Sequence, residues 1–81
     1  MMSEGKFSAL LSVIVPPVVE LIAERKGISE TAATDSFYRS TVYARLSDET
    51  SKLWHYSAET LYAMYDDEVS GRAIAFPEEA F

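Results

Sequence analysis

Cysteine is absent from this 81-residue chain. That excludes disulfides and thiolate zinc sites, and it fits a cytoplasmic protein. Histidine and tryptophan occur once each, as His55 and Trp54, and glycine and proline three times each. Basic residues are scarce: seven Lys and Arg stand against thirteen Asp and Glu, for a formal charge of −6. The shortage is uneven. Residues 1–40 carry four basic and five acidic groups, a net of −1, and residues 41–81 carry three and eight, a net of −5. Phosphate backbones repel such a half, so nucleic acid is disfavoured and a basic protein partner is easier to accommodate. Internal repeats and low-complexity tracts are missing as well.

What is present is enough for one domain with one core. Seven of the ten aromatic residues fall between Phe37 and Tyr65, including all five tyrosines. Large rings dominate core and interface energetics, so this stretch organises the chain. A domain of this size is marginal, and many gain stability by oligomerising.

Apolar periodicity predicts an all-α fold of three main helices. Phe7 to Val19 is an uncharged run of 13 residues. On its own that run is too short to span a bilayer, and no basic leader or small-residue cleavage site accompanies it, so a buried element is expected and a membrane is not. Leu10, Ile14, Val18 and Ile22 recur every four residues through Pro16 and Pro17. This favours one helix from about Lys6 to Lys26, kinked by the proline pair, over a helix that begins at Pro16. Arg25 and Lys26 suit its negative pole, and Gly27 is a natural left-handed stop.

Ser29 then caps a second helix with Ala33, Phe37 and Ser40 on one face, and Ser40 can break it and cap a short piece carrying Val42 and Leu46 inward. Ser47–Lys52 reads as a turn. Ser57 caps the last helix, whose apolar face is Ala58, Leu61, Tyr62, Tyr65 and Val69, and Gly71 ends it. Residues 1–71 are thus expected to form the domain and 72–81 a tail.

Three constellations invite a functional reading. RSTVYARL, residues 39–46, resembles the recognition helix of helix-turn-helix DNA-binding proteins, with Arg39, Ser40, Thr41, Tyr43 and Arg45 as contacts. It departs from that pattern at the turn, where Ser36 replaces the usual Gly, and in its poverty of cations. Asp66, Asp67 and Glu68 form a carboxylate triplet at the helix pole that is already negative, where each should cost a few tenths of a kcal/mol. A docking patch for a basic partner is one reading, and a solvated face the bland one; a calcium loop would need spaced oxygen ligands and a Gly turn. His55 lies in KLWHY, where Ser57 and Asp66 would have to complete a small hydrolase, but no nucleophile motif frames them. Of Tyr38 and Tyr43, at least one must be exposed if Phe37 and Val42 point inward.

Taken together, ERKGIS, FYRSTVYARLSDETSKLW and LYAMYDDE resemble a family of very short bacterial helical proteins, similar to antitoxin-like accessory partners of a larger toxin-like protein. The likeness spans residues 10–70. No catalytic residues are known for that family, so it implies an all-helical fold, a protein partner and no chemistry or cofactor of its own. The expectation is therefore a non-enzymatic interaction module that binds a protein, basic or a second copy of itself, through Tyr38, Tyr43, Asp66, Asp67 and Glu68. The DNA-binding helix is the alternative, and the His55 hydrolase the third reading.

Overall fold

The computed structural model describes residues 4–71. Four α-helices follow in order: α1 (Glu4–Lys26), α2 (Glu30–Tyr38), α3 (Thr41–Leu46) and α4 (Ala58–Val69). Two 3-10 turns, Glu49–Ser51 and Leu53–His55, join α3 to α4. Among the described residues there is no strand, and the fold is all-α. The expected tail at 72–81 lies outside the described residues.

Each short helix starts where a serine supplies an acceptor. Ser29 takes the N–H of Ala32 at 3.1 Å, Ser40 that of Tyr43 at 3.0 Å, and Ser57 that of Thr60 at 3.2 Å. These satisfy donors that the helices leave unpaired. Ser40 does double service: its hydroxyl also donates to the Phe37 carbonyl at 2.6 Å, so it closes α2 and opens α3. The break expected near Ser40 is therefore real, and the hydroxyl that makes it is buried.

Glycine ends the long elements. Gly27 has φ +68°, and Ile28 donates its N–H to the Ala23 carbonyl at 3.1 Å, the six-to-one bond of a Schellman close. Gly71 has φ +80° and follows α4, its N–H donating to the Glu68 carbonyl at 3.2 Å. The third left-handed residue is Lys52, φ +61°, between the two 3-10 turns; nothing in the sequence marked it.

α1 is one continuous helix through Pro16 and Pro17. The prolines remove the N–H partners of the Ser12 and Val13 carbonyls. Both prolines, Ser12 and Val13 are exposed, which leaves those carbonyls on the wet side. The opposite side of α1 supplies Val15, Val18, Val19 and Ile22 to the core. They meet Ala33 and Phe37 of α2, Val42 and Leu46 of α3, Leu53, and Leu61, Tyr62, Met64 and Tyr65 of α4. Fully burying an aliphatic or aromatic side chain of this size contributes about 1.5–3 kcal/mol, so these residues carry the fold. Phe37 is the hub, with Tyr43 and Tyr65 edge-on to it at ring-centroid distances of 5.6 and 6.0 Å.

One expectation needs correcting. Val69 is half exposed, and Met64 takes its place inside. The last turn of α4 has run past the apolar core and faces the polar start of α3, so an apolar residue there gains nothing. The uncharged run belongs to a 23-residue helix, long and apolar enough to cross a membrane by length and composition. A core helix can pass the same test, and Val15, Val18, Val19 and Ile22 do line the core. Yet only 22% of the apolar window is buried.

Candidate functional site

The acidic triplet is held by the fold. Glu68 reaches across to α3, where its Oε2 accepts the N–H of Thr41 at 2.8 Å and its Oε1 that of Val42 at 3.1 Å. With Ser40 holding the N–H of Tyr43, the first three donors of α3 all have acceptors. Asp66 pairs with Lys26 at the C-terminal end of α1. Asp67 is half-buried and not without a partner. The expected electrostatic cost at the negative pole of α4 is thus offset from outside α4, by a lysine from α1 and a helix N-terminus from α3. These carboxylates join the two ends of the fold, which the sequence could not show because the pairs lie 26 to 40 residues apart.

The cations are occupied in the same manner. Arg25 makes a two-pronged pair with Glu59, at 3.0 and 2.6 Å, and lies 5.1 Å from the centre of the Tyr62 ring. The bond to Glu59 raises the Arg25 pKa, and the bond to Asp66 raises that of Lys26. Arg39 pairs with Asp35 at 3.1 Å, and Arg45 is not free. For the helix-turn-helix reading the placement is unfavourable. Thr41 is exposed and Tyr43 half-buried, but α3 has only six residues and a carboxylate occupies the end that would approach phosphate.

His55 is exposed in the second 3-10 turn, and its contacts among the described residues are with rings, Tyr56 at 4.3 Å and Trp54 at 5.7 Å between centroids. Trp54 is half-buried and donates its indole N–H to the Glu49 carbonyl at 2.9 Å. No cluster of three His, Asp or Glu able to hold a metal occurs among the described residues.

What remains open is a cleft of mixed lining and an apolar stripe on α1. Tyr38 is 52% exposed and stacks obliquely on Tyr43 at 4.6 Å, as the packing argument required. The two rings form one side of a cleft of about 380 Å³, and α1 from Ser8 to Pro16 forms the other. Farther around α1, outside the cleft, Val13 stands 69% exposed. The tyrosines are legible in the sequence, but the α1 side of the cleft is not, because the stripe Leu10, Ile14, Val18 and Ile22 marks only the inward side of the run. The clue was there: a run apolar on every face cannot bury all of itself against three short helices.

The chain matches no protein-family model, no curated protein and no solved structure.

Proposed function

We propose that this chain is a non-enzymatic protein-interaction module, of the small accessory kind that antitoxin-like partners represent. The observation that carries it is the outward side of α1, where Ala9, Val13, Pro16 and Pro17 are exposed. The cleft under Tyr38 adjoins this side only at Pro16. Contiguous apolar surface of this kind marks a contact for another molecule, with aromatic residues as the usual anchors. The net charge of −6 favours a partner that is basic around its apolar contact. Asp66 and Glu68 serve this surface indirectly, by fixing α4 and α3 behind the tyrosines.

The test is capture from native lysate with the full chain as bait, with and without nuclease. Wild type should retain a protein in both arms. Val13→Glu and Tyr38→Ala should each lose it while keeping the helical circular-dichroism signal. Capture that disappears with nuclease would favour the α3 reading through Arg39, Thr41 and Arg45. Capture unaffected by both substitutions would remove this surface from consideration.

A further inference from the structure

The exposed side of α1 has a regular order. Lys6, Ala9, Val13, Pro16 and Glu20 are all exposed, and their spacing alternates three and four residues. That spacing is the a/d seam of a helix pair, which keeps one stripe aligned along the axis. The inward residues Leu11, Val15, Val18 and Ile22 occupy the opposite side. The stripe is uncharged from end to end except at its two termini, which carry opposite signs. Lys6 and Glu20 lie seven residues to either side of Val13.

This arrangement is its own antiparallel complement. We infer that α1 pairs with α1 of a second copy of this chain, antiparallel, across a two-fold axis at Val13. This inference rests on the reading of α1 as a protein contact and names its occupant. In such a pair Lys6 of each copy meets Glu20 of the other, and these two contacts lie about 21 Å from each other along the helix at the usual rise. Ala9 faces the partner's Pro16 rings, and the two Val13 side chains meet at the axis. A two-fold contact requires a self-complementary patch, and opposite charges at equal distances from its centre supply one. A lipid surface would cover the same apolar side, but it gives no reason for charges of opposite sign at equal distances from Val13. A parallel pair would set Lys6 against Lys6 and Glu20 against Glu20.

The absence of cysteine makes the test clean. In the full chain, Val13→Cys places a single thiol at the axis, and mild oxidation should link the copies through it. The same substitution at exposed Ala63 on α4 should not. Light scattering of the wild type should give twice the monomer mass, and Val13→Glu should weaken association about tenfold or more. Lys6→Glu and Glu20→Lys should each weaken it about threefold or more, and the double reversal should restore it to within about twofold.

Failure of the double reversal to restore association overturns the antiparallel register. A monomer up to about 1 mM, where the binding energy would be negligible, overturns the pairing. If that monomer still captures another protein and loses it on Val13→Glu, the interaction reading stands and this inference alone falls. If the chain instead binds neutral phosphatidylcholine vesicles, regardless of charge reversal, both fall.

Discussion

Glu68 on α4 caps α3: its two carboxylate oxygens accept the N–H groups of Thr41 and Val42. A residue that reads as surplus negative charge is therefore a tertiary contact, one that starts a helix 27 residues upstream. Glu68→Ala leaves both donors without that acceptor. The expected loss is about 1–2 kcal/mol, the range for helix caps and for hydrogen bonds to charged groups. A urea titration should show a lower midpoint at unchanged slope. Glu68→Gln, which keeps one amide oxygen, should lose less. A midpoint unmoved by Glu68→Ala would mean that water replaces the cap at no cost.

The local signals in this chain were strong and the long-range ones were not. Ser29, Ser40 and Ser57 announced three helix starts, and Gly27 and Gly71 two helix ends, because caps act within a few residues of themselves. The i, i+4 pair Val42 and Leu46 was legible for the same reason. The partners of Asp66 and Glu68 were invisible, since no spacing rule links residue 66 to 26 or 68 to 41. Exposure on α1 was not legible at Val13. Val13 is as apolar as Val18, and only the placement of α2 and α4 decides which of them is covered.

Acid should loosen one specific turn. The Thr50 hydroxyl and N–H both donate to Asp48 Oδ1, at 2.8 and 3.0 Å, and these bonds, the hydroxyl's first, hold the carboxyl below its ordinary 3.8. A carboxyl lowered in the folded state adds stability that is fully present above its unfolded value and is lost as pH falls through the folded one. The gap in stability between wild type and Asp48→Asn should thus persist at neutral pH and shrink below pH 3.8. Carbon-detected NMR should place the folded Asp48 titration under 3.8. A midpoint at or above that value contradicts the assigned bonds.

Lys52 holds φ +61° and ψ +17°, a conformation that costs a residue with a β-carbon roughly 1 kcal/mol. Lys52→Gly removes that cost but adds freedom to the unfolded chain, so the net gain should be about 0.5 kcal/mol. Lys52→Val should lose about 1–2 kcal/mol, since branching at the β-carbon crowds the left-handed region further. The order Gly, Lys, Val in thermal midpoint is the measurement. Any other order would place the turn in a different conformation in solution.

Pro17 is the residue the monomer has least reason to keep. It is exposed, it lies inside α1, and it deprives the Val13 carbonyl of a helix bond. In an exposed helix interior proline is about 3 kcal/mol worse than alanine, although proline also stiffens the unfolded chain. Pro17→Ala should therefore stabilise the domain by about 1–2 kcal/mol, read from denaturant midpoints. Pro16 stands on the outward stripe itself and Pro17 beside it. If the rings are held there for contact, Pro16→Ala should weaken self-association even as it strengthens the helix. Opposite movement of the two readings is what a residue retained for binding produces, since stabilising changes at such sites are commonly costly to function. A Pro17→Ala chain no more stable than wild type would show that the surroundings of Val13 already satisfy its carbonyl.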